Sequence, residues 1–254
     1  MATKILVIPD IQANPDHNDF DYLTSVGNYI VAKKPEIIVN LGDMADMSSL
    51  SSHDKPGSKT MEGKRYKADI AAVTKAMNAL LTPLWDYNAK AKKNKEKQYK
   101  PRMVMITGNH ENRITRAVEA DPKLEGLISL DDLPYEDWEI IPFLDVIVIE
   151  GIAFSHYFCG GAMGKPIGSA QALLTKKHMS CVAGHQQGRQ VAFGRRADGK
   201  EMTALIIGSC YMHDEAYMSS QSNQYWRGLY ILHNVNDGSF DECAVPLHYI
   251  IENY

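Results

Sequence analysis

The feature that most constrains this chain is a short apolar run, residues 103–106, that breaks into the polar stretch Thr107-Gly108-Asn109-His110-Glu111-Asn112-Arg113. Such a run reads as a buried strand. Residues 113–118 after it read as a helix. Gly108 permits a sharp turn where the strand ends. A strand, a polar turn and a helix form the unit of an α/β sheet, which presents its chemistry at the carboxyl ends of its strands. A structural turn needs a glycine and at most an asparagine, so the added His110 and Arg113 mark this one as a candidate site.

The same unit stands at the N-terminus. Residues 5–8 form an apolar strand ending at Pro9-Asp10, and residues 18–33 carry Phe20, Leu23, Val26 and Ile30 at helical spacing. Pro35 stops that helix, and residues 37–41 form the next strand, ending at Gly42-Asp43. Strand, helix and strand predict a parallel pair with a right-handed crossover.

Residues 44–63 read as a long polar loop over the strand ends. Residues 64–87 read as a helix bent at Pro83. Residues 89–102 carry Lys90, Lys92, Lys93, Lys95, Lys97 and Lys100. They read as a solvated helix end and loop, with a polyanion contact as the sharper alternative. Residues 121–134 read as a short helix and turn. Residues 138–141, 145–149 and 152–155 read as consecutive antiparallel strands. The glycines of 160–168 are too irregular for a dinucleotide or P-loop motif, and that stretch reads as a flexible rim. A helix over 171–178 and a strand over 181–183 follow. Strands over 191–193, 203–207, 228–232 and 242–246 complete a second set. No repeat or linker divides the chain, so a single domain over 1–254 is expected, with a helical, lysine-rich insertion around 47–101.

A chain of 254 residues, 44% of them apolar, suits one large α/β domain with an ordinary core. A formal net charge of -4 argues against a protein that coats nucleic acid, while leaving room for a local basic stripe. Cys159, Cys181, Cys210 and Cys243 are scattered and form no C-x-x-C pair, the usage of a reduced intracellular protein. No apolar run is long enough to cross a membrane, and Met1-Ala2-Thr3-Lys4 leads straight into a strand. A soluble, cytoplasmic protein without membrane partners is the expectation.

Four more motifs share the placement of the central one. They are Asp10-Ile11-Gln12, Gly42-Asp43-Met44-Ala45-Asp46, His156, and Gly184-His185-Gln186-Gln187. Each sets a carboxylate, imidazole or amide just past an apolar strand. One such residue is a routine turn cap, and a lone His156 would be structural. Five strand ends carrying metal-ligand side chains call for a common explanation. If the strands share one sheet edge, the side chains converge.

In this order the motifs resemble those of the calcineurin-like metallophosphoesterase superfamily, whose pattern is D-x-H, G-D-x-x-D, G-N-H-E/D, a lone H, and G-H-x-H. Gly208-Ser209 and Trp226-Arg227-Gly228 near the end are similar to small phage-encoded members. The resemblance implies an α/β fold of two packed mixed β-sheets flanked by helices, a four-layer sandwich. It implies two divalent ions bridged by Asp43. Asp10, Gln12 and Gln187 would hold the first, and Asn109, His156 and His185 the second. An activated hydroxide between them would attack phosphorus in line. His110 would stabilise or protonate the leaving oxygen, and Asp46 would orient a ligand or His110. Arg113 is placed to fork onto a substrate phosphate, with a salt bridge to Glu111 or Glu119 as the structural alternative. The two ions bring four positive charges against two from Asp10 and Asp43, which suits a phosphate ester.

The family's two histidines for the first ion are both glutamine here, Gln12 and Gln187. An amide oxygen is a harder and weaker ligand than imidazole. The expectation is therefore Mn²⁺ or Mg²⁺ at the first position in preference to Zn²⁺ or Fe²⁺. The expected function is metal-dependent hydrolysis of a phosphoester, leaning towards phosphodiesters such as nucleotides or nucleic acid. An Mre11-type DNA nuclease is one alternative, and a scaffold that binds metal without turnover is another. Gly42-Asp43 lacks the following Arg-Gly of the protein serine/threonine phosphatases. His17, His53 and His213 read as rim residues. Tyr157, Tyr211, Tyr217, Tyr225 and Trp226 read as core, with base stacking as the alternative. Met44, Met47, Met61 and Met77 read as gap-fillers.

Overall fold

The computed structural model describes residues 3–52, 57–214 and 225–254. Two mixed sheets pack face to face with helices on both outer faces. The first is built by β1 (Thr3–Ile8), α1 (Asp21–Lys33), β2 (Ile37–Asn40), α2 (Tyr66–Lys93), β3 (Arg102–Ile106), α3 (Asn112–Ala120) and β4 (Glu139–Ile141). These strands are parallel in the order β4-β3-β2-β1. β10 (Gly228–Asn236) and β11 (Ser239–Pro246) extend the sheet antiparallel beyond β1.

The second sheet holds β5 (Ile147–Ile149), β6 (Ile152–Ser155), β7 (Cys181–Ala183), β8 (Arg189–Arg195) and β9 (Glu201–Ile207), in the order β5-β6-β7-β9-β8. α4 (Ala170–Lys177) crosses between β6 and β7, which are parallel.

The layers follow from strand periodicity. Along β1, Ile5 and Val7 face the second sheet, while Leu6 and Ile8 face the helices. Ile37 and Val39 oppose Ile38 in the same way on β2. Both faces are covered, so these strands read as unbroken apolar runs. The central layer joins Val7, Val39 and Ile106 to Phe154, Val182 and Leu205. Each such side chain contributes about 1.5–3 kcal/mol by leaving water.

The helix spanning much of 47–101 is a layer of this fold. α2 runs through Pro83 and buries Val73, Ala76, Met77 and Leu80 beside α1. The close crossing depends on Gly27, where a Cβ would lie 2.3 Å from the Leu80 carbonyl.

One sequence expectation needs correction. Residues 138–141 do not form an antiparallel meander with the next two strands. β4 pairs parallel with β3 in the first sheet, and only β5 and β6 form a hairpin. The chain changes sheet at 142–146, which strand propensity does not report. The stretch 160–168 is closed by a bridge from Cys159 to Pro166 and a bond from the Gly160 N–H to the Lys165 carbonyl. α5 (Leu247–Asn253), absent from the sequence reading, seats Leu247 and Ile250 in the same core as α1. It is too short for periodicity to show. Among the described residues, no helix is long and apolar enough to cross a membrane.

Candidate metal centre

Three strands of the first sheet and two of the second end on one edge. Asp10 and Gln12 follow β1, Asp43 and Asp46 follow β2, and Asn109 and His110 follow β3. His156 follows β6, and His185 and Gln187 follow β7. The sheets are joined there. His156 Nδ1 lies 2.9 Å from the Leu41 carbonyl, and the His185 N–H donates to Asp10 Oδ1 at 3.0 Å.

A carbonyl only accepts, so His156 donates through Nδ1. Its Nε2 then faces Asn109 Oδ1 at 2.8 Å and Asp43 Oδ2 at 3.3 Å. Asp43, His156 and His185 each offer a ligand atom within 4.8 Å of the others. Burial by itself would lower the His156 pKa, but Asp43 and Asp10 hold it up at about 9. Burial and then His156 push His185 down to about 4, leaving the neutral imidazole that binds a metal. Asp43 lies well below the usual carboxylate range, because His110 and His156 outweigh its burial. Burial raises Asp10 to about 7, and its Oδ2 is enclosed without a hydrogen-bond partner. An orphaned carboxylate oxygen beside a second carboxylate, an amide oxygen and two imidazoles is a donor set that a divalent cation completes. The residues present fit the ions that the motif order implies.

The backbone is shaped to the same end. Gln12, Asp43, His185 and Gln187 all have φ between 50° and 67°, a left-handed conformation that non-glycine residues adopt at a cost. A Cβ on Gly108 would meet Asp43 Oδ1 at 2.0 Å, so only glycine lets that loop pass the carboxylate.

Of the residues expected around the second ion, His156 is in direct contact with Asn109 and Asp43, and His185 brings a ligand atom within 4.8 Å of those of His156 and Asp43. Around the first, the Gln12 N–H donates to the Asp43 carbonyl at 2.7 Å. The Gln187 side-chain oxygen accepts from the Tyr211 hydroxyl at 2.8 Å, which leaves it one lone pair.

His110 Nδ1 lies 2.9 Å from Asp46 Oδ1 and 3.0 Å from the Asp46 carbonyl. Burial would lower the His110 pKa, but Asp43 and the bond to Asp46 raise it overall. Arg113 bonds to neither Glu111 nor Glu119. Its Nη1 donates to the Asp46 carbonyl at 2.9 Å, and its Nη2 lies 3.3 Å from His110 Nε2.

Glu111 holds a role the sequence reading missed. Fully buried, it accepts from the N–H groups of Asp43 (3.0 Å), Gly108 (2.8 Å) and Ala45 (2.9 Å) and from the Tyr135 hydroxyl (3.0 Å). One carboxylate thus clamps together the loops that carry Asp43 and Asn109. Its place beside His110 in the motif was the only sequence signal.

The lysine-rich segment lies elsewhere. Lys90, Lys92 and Lys93 close α2, and β3 starts at Arg102, so these lysines stand at the opposite strand edge. The length of β3, about 15 Å, separates them from the site. All six lysines are exposed, as the solvated reading requires. Met44, Met47 and Met77 are core residues. Tyr157 packs against His185 with ring centroids 4.9 Å apart. His53 and Tyr217 lie outside the described residues.

The sequence pattern of the family described as calcineurin-like phosphoesterase matches residues 3–189. No curated protein matches the chain. Among solved structures, the phosphoesterase Yfce of E. coli is 15% identical, with a TM-score of 0.37 over 96% of this chain and 100% of that one. A conserved protein of Streptococcus pneumoniae described as a predicted phosphoesterase is 12% identical, with a TM-score of 0.32 over 96% and 99%. TT1561 of Thermus thermophilus is 8% identical, with a TM-score of 0.39 over the same shares.

Proposed function

The chain belongs to the calcineurin-like phosphoesterase family and is a hydrolase of phosphoester bonds, and from that premise we propose that it acts on phosphodiesters, with nucleotides or nucleic acid as the substrate class. The carrying observation is the meeting of Asp43, His156 and His185 within 4.8 Å at the edge where both sheets end.

In this reading Asp43, with Asp10, Gln12 and Gln187, would hold one divalent ion, and Asp43, with Asn109, His156 and His185, would hold a second. When bound, the ions would activate water and offset charge on the phosphate oxygens. The chain's own residues do the rest. His156, anchored on the Leu41 carbonyl, turns Nε2 towards Asn109 and Asp43, where an ion would be held. Asp46 accepts the Nδ1 proton of His110, which leaves Nε2, 3.3 Å from Arg113 Nη2, as the atom that would meet and stabilise the leaving oxygen.

Charge supports a phosphate ester. Four positive charges from the ions would meet Asp10, Asp43 and Glu111, while Arg113 is matched by Asp46 and His110 is drawn towards its charged form by Asp43 and Asp46. The net positive remainder suits an anionic ester, and the aromatic ring of Tyr157 beside His185 supports a substrate that carries a base. The Mre11-type nuclease reading predicts salt-sensitive binding of DNA ends, and the distant lysine segment gives it no support. Four free cysteines support a reduced, cytoplasmic setting.

The test is hydrolysis of bis-p-nitrophenyl phosphate, p-nitrophenyl phosphate and a labelled oligonucleotide with Mn²⁺, beside an Asp43→Asn control. Faster turnover of the diester, with loss of most of the activity in the control, is expected. Preference for the monoester would sink the diester assignment. Equal rates in the control would leave a scaffold. Calorimetric titration should show two unequal Mn²⁺ sites, because amide ligands are weaker than imidazoles. Two equally tight Zn²⁺ sites would refute the assignment of Gln12 and Gln187.

A further inference from the structure

A cleft of about 390 Å³ opens beside Gln12, a size suited to a small ligand. His17 and His213 line it and belong to a ladder of three rings. His17 stacks on His213 with centroids 4.3 Å apart and planes 5° from parallel. His213 stacks on Tyr211 at 4.3 Å and 17°. The inner end of the ladder reaches the metal centre through the bond from Tyr211 to Gln187. The outer end, His17, is exposed.

Both histidines are held from behind. The buried side chain of Asn14 accepts the N–H groups of Asp16 and His17 at 3.0 and 3.1 Å. Arg227 donates to the His213 carbonyl at 2.8 Å and to the Asp214 carboxylate. A surface ladder of near-parallel rings, fixed at its backbone and open at its end, is a platform for one more planar ring. Asp16 and Asp19 also line the cleft. Their carboxylates repel a second phosphate and leave a neutral ring as the fitting occupant.

We propose that this cleft is the nucleobase subsite of the enzyme. The inference rests on the phosphodiester reading above. The substrate phosphate lies over Asp43, His156 and His185, and the base of the attached nucleoside stacks on His17. Gln12 lies where the two parts meet. Stacking of a base on an aromatic ring is worth roughly 5- to 150-fold in affinity.

The experiment compares kcat/KM for a 3′,5′-linked adenylyl dinucleotide and for methyl p-nitrophenyl phosphate, which carries no base, with Mn²⁺. The parent, His17→Ala and His17→Tyr are measured. His17→Ala should lower the dinucleotide value at least fivefold more than the methyl ester value, through KM, and His17→Tyr should restore it. Equal effects on the two substrates, or none on either, would overturn the inference. A parent that cleaves the methyl ester and spares the dinucleotide would overturn this inference while leaving the phosphodiester reading intact. A parent that cleaves neither overturns the premise, and the subsite falls with it.

Discussion

Replacing Glu111 with glutamine tests whether one buried carboxylate holds the two halves of the site together. Its four donors divide between the two oxygens. Asp43 and Gly108 donate to Oε2, while Ala45 and Tyr135 donate to Oε1. The amide keeps one acceptor and presents an NH₂ on the other side. The least costly orientation turns the NH₂ towards Ala45 and Tyr135, because the Tyr135 hydroxyl can rotate and accept. The Ala45 N–H then loses its partner in a buried setting, at about 1–3 kcal/mol. The Asp43 and Gly108 bonds lose their charge assistance, at about 1 kcal/mol more. Burial and the nearby Asp43 hold the Glu111 pKa above its usual value, so removing the charge returns part of this loss. A net cost of roughly 2–3 kcal/mol lowers the melting temperature by about 4–12 °C in a chain of this size. The assay is thermal unfolding at pH 7 in the presence of a chelator, followed by Mn²⁺ titration. Weaker Mn²⁺ binding should accompany the lower melting point, since the loops bearing Asp43 and Asn109 lose their tie. A variant that melts within about 1 °C of the parent and binds Mn²⁺ equally well would refute the clamp.

Metal-free protein should lose stability as pH rises from about 6.5 to 9. His156 keeps its proton up to about 9 in the fold, whereas an ordinary imidazole releases it near 6.5, so the folded state binds more protons in that window. A melting temperature that stays flat or rises from pH 6.5 to 9 under chelation would contradict the arrangement around His156. Asp46→Asn should lower kcat by about 10²–10⁴-fold, the range for general acid–base catalysis, because His110 loses the carboxylate that orients and charges it. An unchanged kcat on a diester with a good leaving group, together with a reduced kcat on one with a poor leaving group, would still place His110 at the leaving oxygen. A reduction independent of the leaving group would not. Gly27→Ala should destabilise by about 1–3 kcal/mol through overpacking at the crossing of α1 and α2. Chemical denaturation measures it, and a neutral result would show that the two helices can separate there without loss.

The sequence by itself determined the unit of construction and which side chains stand as candidate donors. Apolar runs that end in Asp10, Asp43, Asn109, His156 and His185 reported local facts: a buried strand, a sharp turn and a polar side chain just beyond it. Strand and turn signals are set by neighbouring residues, so they are legible one segment at a time. Which strands share a sheet was not legible. β4 and β5 follow one another closely, yet they belong to different sheets, because pairing is decided by which apolar face finds cover. The Glu111 clamp and the ladder from His17 to Tyr211 were equally hidden. Each depends on segments far apart in the chain being brought within 3–4.3 Å of one another. A side chain's partner in such a place is set by the packing of whole layers, so only the tertiary structure decided it.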